Sequence, residues 1–393
     1  MKKICIALVF ALVAFALTAQ TASEAMSRVE GLRCVVYSER GKAEATKLAA
    51  QADALFDLFN RVFRFDPAEL DGKLVLREFA AKEGFDAYLS KLVGQTKDDY
   101  VYIHYPSFER RELLLFAKDE PERSASLAHQ SFVQFLKAFV QNPPLWLRDG
   151  FAIFFETATW DETKNQIVFP ENLAWLETAK ALDAKRAFLP LGRLLTLQQE
   201  EARSALDVYY PEAWAFVSFL ANGDPEYNRL LWDSIATLRR DGSLKDNQEA
   251  VRARLATWYG EEDAAKAFAA YLANRRTFAE EIAFGVKAYG DKDFETAATA
   301  FESAAALDAE SYIPPYYLGL IAYALGDFAR ADFEYSEALR LGCEPAIGNY
   351  ALGLSAFAQE RAEDAKRYFA EATAAAPERY GAKVEELLAR LNK

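Results

Sequence analysis

Hydrophobic and polar positions divide the chain of 393 residues into three stretches with different patterns. The first begins with Lys2 and Lys3, continues with an almost unbroken apolar run from Ile4 to Leu17, and ends in small residues. A positive start followed by an apolar run of this length and small residues is typical of a secretory signal peptide. We therefore predict a signal peptide over residues 1–25 and a periplasmic or secreted mature protein. No later run reaches the length that spans a bilayer, so we expect no membrane span after signal removal.

Strand and helix patterns alternate over residues 26–120. Apolar side chains fall on one helical face over residues 42–63. Runs rich in β-branched, aromatic and leucine residues predict strands at RCVVYSE, KLVLREF, DYVYIHYP and RELLLFA. Helical patterns dominate over residues 121–277. We therefore predict an α+β domain over 26–277, in which a mixed α/β part precedes a helical part.

The last stretch, residues 278–393, repeats with a period of 34 residues. Four columns of small and aromatic residues keep this spacing over three copies. They are Gly285, Gly319 and Gly353; Ala297, Ala331 and Ala365; Phe301, Tyr335 and Phe369; and Ala304, Ala338 and Ala372. A stacked helix pair requires small residues where the helices cross and aromatic residues that fill the gaps. The columns therefore predict an all-α helical solenoid.

This pattern resembles the tetratricopeptide repeat (TPR). The resemblance implies three units, at 278–311, 312–345 and 346–379. The segment RYGAKVEELLARLN, which follows them, is then expected to form a capping helix with a polar outer face.

In the TPR family the first helix of each unit lines a concave face that binds a protein or peptide partner. The corresponding positions in this chain are Tyr289, Ile313, Tyr316, Leu320, Tyr323, Ile347, Tyr350, Leu354 and Phe357. Family members that hold a C-terminal carboxylate use Lys, Arg and Asn at such positions, and none stands here. The resemblance therefore implies an apolar peptide segment as the ligand. A groove filled by this protein's own helical domain or capping helix remains the alternative.

A second motif lies between Ser126 and Glu156. It combines a histidine with a later run of spaced residues, namely Pro144, Trp146, Leu147, Asp149, Gly150, Ala152, Phe154 and Glu156. This arrangement resembles the active-site core of gluzincin metallopeptidases, especially the bacterial peptidase MA-like proteins. That core has an HExxH helix followed by P-x-W-L-x-E-G-x-A-x-Y-x-E. The resemblance covers about residues 35–275 and implies a gluzincin-like domain.

The positions that carry zinc chemistry in that family are changed here. His129 stands at the first ligand position, but Val133 stands at the second and cannot bind a metal. Gln130 replaces the glutamate that acts as general base, and Asp149 replaces the third ligand with a shorter side chain. With Glu156 these are vestigial active-site positions. The resemblance therefore implies an inactive metallopeptidase-like domain without catalytic residues, bound metal or cofactor.

A non-standard metal site is the alternative interpretation of the same residues. Asp149 and Glu156 are seven residues apart on a predicted helix, and this spacing puts both carboxylates on one face. Together with His129 they would supply three ligands.

Composition excludes several other classes of protein. The 59 acidic residues outnumber the 46 basic ones, and the net charge of -13 argues against nucleic-acid binding, which needs clustered cations. The chain has only two histidines, His104 and His129, so a histidine-rich catalytic centre is not expected. Residues 278–393 hold 20 acidic and 11 basic residues. This acidic repeat surface suits a basic or neutral partner.

Three functional hypotheses follow. The first is an exported TPR protein that binds a protein or peptide in the cell envelope and carries an inactive metallopeptidase-like domain. The second is an active zinc metallopeptidase with non-standard ligands. The third is a purely structural adaptor of an envelope assembly.

Overall fold

The computed structural model describes residues 26–391, so the predicted signal peptide lies outside the described residues. Contacts along the chain divide it into two compact units at Ala273, where the sequence predicted a boundary at residue 277. Unit 1 comprises residues 26–273 and unit 2 residues 274–391. Within the described residues, no helix combines the length and apolar character that crossing a membrane requires.

A five-stranded mixed sheet opens unit 1. The strand order is β1-β2-β3-β5-β4, with a parallel centre of β2, β3 and β5 and an antiparallel strand at each edge. The strands are β1 (Ser27–Glu30), β2 (Cys34–Ser38), β3 (Leu74–Phe79), β4 (Val101–Ile103) and β5 (Glu112–Phe116). Two helices connect them, α1 (Lys42–Phe63) and α2 (Lys82–Val93).

Strand β5 is buried along its whole length, because helices pack on it from both sides. Its sequence ELLLF is a continuous apolar run, as expected of a strand covered on both faces. Helix α2 and the following helix, α3 (Glu122–Phe139), both contact it. The chain leaves the sheet at the carboxyl end of β5 and enters α3.

Three details differ from the sequence prediction. Strand β4 covers only Val101–Ile103 of DYVYIHYP, so His104 lies outside the strand. The following segment instead forms a connection in which the Arg111 side chain binds backbone carbonyls. Strand β1 was not predicted. A two-stranded hairpin, β6 (Thr159–Asp161) with β7 (Gln166–Val168), interrupts the part predicted as helical.

Helices make up the remainder of unit 1. They are α4 (Leu145–Phe154), α5 (Leu176–Ala184), α6 (Leu191–Leu195), α7 (Gln199–Ser204), α8 (Leu206–Asn222), α9 (Pro225–Ile235), α10 (Leu244–Trp258) and α11 (Glu261–Asn274). Helices α4 and α8 pack closely at Gly150, where an added Cβ would lie 2.5 Å from the carbonyl oxygen of Ala213. This close contact brings side chains of α4 within hydrogen-bonding distance of side chains of α8.

Unit 2 consists of three helix pairs and a final helix, so the predicted stack of helix pairs is confirmed. The pairs are α12 (Phe278–Gly290) with α13 (Phe294–Leu307), α14 (Ile313–Ala324) with α15 (Phe328–Arg340), and α16 (Pro345–Ala358) with α17 (Ala362–Ala375). Helix α18 (Pro377–Leu391) follows them.

The 34-residue columns act as the sequence predicted. In each pair the column glycine of the first helix faces the column aromatic of the second, and the alanine columns are buried. At Gly319, for example, an added Cβ would lie 2.6 Å from ring carbons of Tyr335.

The 34-residue period also appears in the backbone φ angles of the turn inside each helix pair. Lys292, Gly326 and Glu360 have φ angles of 62°, 79° and 58° and stand 34 residues apart. In the first two pairs the next residue is an aspartate whose side chain caps the second helix. The third pair has an arginine there and no side-chain cap. The left-handed conformation is thus imposed by the helix pair, since two of the three residues are not glycine.

Close helix crossing makes a test of unit 2. The substitution Gly319→Ala forces a methyl group against the Tyr335 ring, and we expect it to lower the free energy of unfolding by about 1–3 kcal/mol. The matched control is Gly381→Ala in α18, where an added Cβ meets nothing within 4 Å. Because alanine favours helix over glycine, this change is expected to raise stability by about 0.5–1 kcal/mol. Urea unfolding of the purified protein measures both, and stabilisation by Gly319→Ala would contradict the packing.

Candidate functional site

An open cleft of about 350 Å³ lies beside His129 and Glu156 in unit 1. It is found where the chain leaves the carboxyl end of β5, and the first half of α3 forms one wall. Its lining residues are Asp99, Lys118, Glu122, Ala125, Ser126, His129, Gln130 and Glu156.

His129 and Glu156 form a hydrogen-bonded pair in this cleft. The Nδ1 atom of His129 lies 2.8 Å from the Oε1 atom of Glu156, and both side chains are partly exposed. Glu156 follows the end of α4, which stops at Phe154. The prediction that Asp149 and Glu156 share one helix face is therefore wrong, because the helix ends between them.

The two other motif positions on α3 serve the packing of unit 1. The Gln130 side chain accepts a hydrogen bond from the backbone N–H of Tyr102 at 3.3 Å, which ties α3 to strand β4. Val133 packs against the apolar core. A glutamine amide is not basic enough to activate water, and a valine has no atom that binds a metal ion.

Asp149 is engaged by an arginine and a tyrosine. Arg148 donates from Nε to Oδ1 at 2.6 Å and from Nη2 to Oδ2 at 2.9 Å, and the Tyr209 hydroxyl donates to Oδ2 at 2.9 Å. Asp149 as a whole residue is only 8% exposed. Burial, with the neighbouring Asp149 charge, raises the pKa of Tyr209, so its hydroxyl remains a donor. The third ligand position of the motif is thus held inside a charge-assisted network.

The residues do not fit a zinc ion. Among residues 26–391 no group of three His, Cys, Asp or Glu side chains is arranged to hold a metal ion. The two carboxylates of the alternative metal site point to different partners, Glu156 to His129 and Asp149 to Arg148. A zinc site needs at least three protein ligands around one point.

Lys118 connects two other residues that line the cleft, Asp99 and Ser126. Its ammonium group donates to Asp99 Oδ1 at 2.6 Å and to the Ser126 hydroxyl at 3.1 Å. Burial alone would raise the pKa of Asp99, but the hydrogen bonds from Lys118, Ser126 and the Tyr100 backbone lower it below its usual range. The Ser126 hydroxyl is thus engaged by Lys118 and is not arranged as a nucleophile for His129.

The nine predicted groove residues lie on the first helix of each pair in unit 2, which we call the inner helices. All nine are half-buried. Tyr289 packs edge-on against Tyr317, with ring centroids 6.0 Å apart. Tyr316 lies 6.1 Å from Tyr335, and Tyr323 lies 5.6 Å from Phe328 by the same measure. Each ring therefore packs on its own or the neighbouring helix pair and is only half-buried.

The third repeat is partly covered by α18. The rings of Tyr350 and Tyr380 stack with centroids 4.5 Å apart, and the Arg390 guanidinium lies 5.6 Å from the centroid of Phe357. Leu354 belongs to the same apolar cluster. The alternative in which the capping helix fills the groove therefore describes the third repeat.

Charge is absent from two of the inner helices. Neither α14 (IPPYYLGLIAYA) nor α16 (PAIGNYALGLSAFA) contains an acidic or basic residue. The charges of the second and third repeats are found on α15, α17 and the turns. On α14 and α16 the inner face is consequently apolar with tyrosine hydroxyls as its polar groups, whereas α12 carries Glu280, Glu281 and Lys287.

Sequence reasoning did not find Arg148 or Lys118. Arg148 and Asp149 are neighbours in the chain, and adjacent side chains on a helix ordinarily point apart, so no spacing rule indicates their pairing. Tyr209 lies 60 residues after Asp149, beyond the reach of any local spacing rule. Only the close contact of α4 with α8 brings its hydroxyl to Asp149.

Comparison with known proteins adds little beyond this geometry. No family model and no curated protein matches the chain. One similar solved structure is the first TPR of Spaghetti (RPAP3) bound to an HSP90 peptide, at 16% identity and a TM-score of 0.28, covering 30% of this chain and 93% of that one. Another is the APC/C hetero-tetramer Cut9–Hcn1, at 15% identity and a TM-score of 0.28. That match covers 70% of this chain and 57% of the other.

The Asp149 network yields a stability prediction. In Asp149→Asn the largely buried Arg148 loses its counter-charge, and we expect a loss of about 3 kcal/mol in the free energy of unfolding. Tyr209→Phe removes one hydrogen bond to a charged group and should cost about 1.5 kcal/mol. Glu249→Gln, which breaks an exposed pair with Lys245, is the control and should have no measurable effect. Similar losses for Asp149→Asn and Glu249→Gln in urea unfolding would refute this description.

Proposed function

We propose that the mature chain is an exported protein-interaction protein. In this proposal unit 2 binds an uncharged apolar segment of a partner through its inner helices. Unit 1 is a metallopeptidase-like domain without zinc chemistry. Export is supported by the two lysines and the apolar run at the start of the sequence.

The observation that carries this function is the uncharged inner face of α14 and α16. Ile313, Tyr316, Leu320 and Tyr323 are half-buried along α14, and no hydrogen-bond partner is found for the two tyrosine hydroxyls among the described residues. Burial raises the pKa of Tyr316, so its hydroxyl is neutral at physiological pH. A tyrosine offers an apolar ring together with a hydroxyl that donates or accepts. Such a surface binds an apolar segment and hydrogen-bonds to its backbone.

Electrostatics restrict the partner further. Residues 278–393 have a net charge of -9, and neither α14 nor α16 carries a cation. An acidic peptide, or one held by its C-terminal carboxylate, would lose hydration without gaining an ion pair. A neutral or basic segment avoids this cost, and basic flanks would be attracted by the acidic turns.

Loss of peptidase chemistry in unit 1 is supported by three contacts. Gln130 is bonded to the backbone of strand β4, Val133 is packed in the core, and Asp149 is held by Arg148 and Tyr209. A base and two ligands would all have to be restored before His129 had partners for zinc.

A purely structural envelope adaptor is the second candidate. The stacking of Tyr350 on Tyr380 favours it, because the capping helix then occupies part of the surface that a peptide would use. In that case, the part of the groove that is open to a ligand runs along α12 and α14.

A peptide array tests the groove. Incubated with random 12-residue peptides, the full chain is expected to select sequences rich in Leu, Ile, Phe and Tyr and poor in Asp and Glu. Tyr316→Ala should weaken selected peptides by roughly 2 kcal/mol, about thirtyfold, because an interface aromatic is removed. The control is Phe333→Ala, which removes a 68% exposed ring from α15 and should leave binding unchanged.

The melting temperature of each variant completes the experiment. If Tyr316→Ala lowers the melting temperature clearly but leaves peptide binding intact, the ring is a packing residue and the groove proposal fails. Selection of acidic peptides would also contradict it.

Unit 1 has its own test. We expect purified protein, after incubation with excess zinc and dialysis, to contain far less than one zinc per chain and to leave casein uncut. More than one position differs from an active site of this type. The double variant Gln130→Glu with Val133→His should therefore still not cleave casein, because Asp149 remains bound to Arg148. Chelator-sensitive cleavage by the unaltered protein would establish the metallopeptidase hypothesis instead.

A further inference from the structure

We propose that unit 1 binds an oxyanion, either a phosphate or a carboxylate, between Arg111 and Lys137. The site lies where the β4–β5 hairpin meets α3, and it is independent of the function proposed above. Four observations support it, beginning with a buried arginine that has no counter-ion.

Arg111 directly precedes β5 and is 5% exposed. Its Nε donates to the carbonyl of Tyr105 at 2.6 Å and its Nη2 to the carbonyl of Pro106 at 2.9 Å. No carboxylate lies within ion-pair distance of it among residues 26–391. Buried charges are almost always paired, and the Arg111 guanidinium is an exception. It has further N–H groups that can donate to a bound anion.

The hairpin register brings a histidine opposite this arginine. Ile103 pairs with Glu112 across β4 and β5, so His104 and Arg111 are the next residues at the loop end of the hairpin. His104 Nδ1 lies 3.2 Å from the Tyr102 hydroxyl. Burial, with Lys137 and Arg111 nearby, lowers the pKa of His104 to about 4, so the ring is neutral at physiological pH.

Lys137 approaches the same place from α3, which packs on both β4 and β5. Its ammonium group has no acceptor within hydrogen-bond distance among the described residues. Burial, followed by the charges of Arg148 and Arg111, lowers the pKa of Lys137 to about 8, and Asp149 opposes this only in part. An ammonium group in this position gains from any anion that supplies the missing acceptor.

The local charges do not cancel. Arg111, Lys137 and Arg148 supply three positive charges, while Asp149 is already bound in bidentate fashion by Arg148. Two further acids are close to Arg111 in the chain. Glu109 is exposed and hydrogen-bonded to Ser107, and Glu112 is paired with Arg77. In a protein with a net charge of -13, a partly buried surplus of cations is a specific feature. Arginine and lysine together are the usual donors to phosphate and carboxylate oxygens.

Calorimetric titration of the full chain tests the site. Inorganic phosphate, a tripeptide with a free C-terminal carboxylate, and its C-terminal amide are each titrated at constant ionic strength set with chloride. We expect saturable binding of phosphate or of the free-acid tripeptide, and none of the amide. Binding of the first alone indicates a phosphate ligand, and binding of the second alone indicates a peptide carboxylate.

Variants then locate the site. Lys137→Met should weaken binding at least tenfold, whereas Lys91→Met, which alters an exposed lysine on α2, should not change it. Melting curves check that both variants are folded, and Lys137→Gln replaces Lys137→Met if the latter is not. No saturable binding of either anion, or equal binding by the Lys137 and Lys91 variants, would overturn the proposal.

Discussion

The bidentate ion pair between Arg148 and Asp149, completed by the Tyr209 hydroxyl, is the interaction on which unit 1 depends. It is buried where α4 and α8 approach each other at Gly150. Once the carboxylate is held there it cannot turn towards His129, which pairs with Glu156 instead. The packing that stabilises the domain therefore also keeps Asp149 away from the cleft that His129 and Glu156 line.

Unit 2 rests on a different constraint, the close crossing of paired helices. The column glycines accept the rings of Phe301, Tyr335 and Phe369, and this leaves the other face of each inner helix to tyrosines and aliphatic residues. Because α14 and α16 contain no charged residue, that face has neither repulsion nor ion pairs to offer a ligand. Its specificity would come from apolar burial and from tyrosine hydroxyls.

Much of this architecture is predictable from sequence where a pattern repeats or runs continuously. The 34-residue columns predicted the helix pairs, and the apolar run RELLLFA predicted the strand that forms β5. Patterns failed where contacts distant in sequence decide the outcome. Strand β4 ends at Ile103 because its partner β5 begins at Glu112, and the buried position of Arg111 depends on the same hairpin. The end of α4 before Glu156 and the pairing of Arg148 with its neighbour likewise follow from tertiary packing, which no local spacing encodes.

The central claim is that partners are bound by the inner helices of unit 2 and not by the cleft of unit 1. Hydrogen–deuterium exchange of the full chain, with and without a selected apolar peptide, tests this most directly. Bound peptide is expected to slow exchange in peptic fragments that cover residues 313–324, with smaller effects over 345–358, and to leave 122–154 unchanged. Protection confined to residues 122–154 would contradict the account.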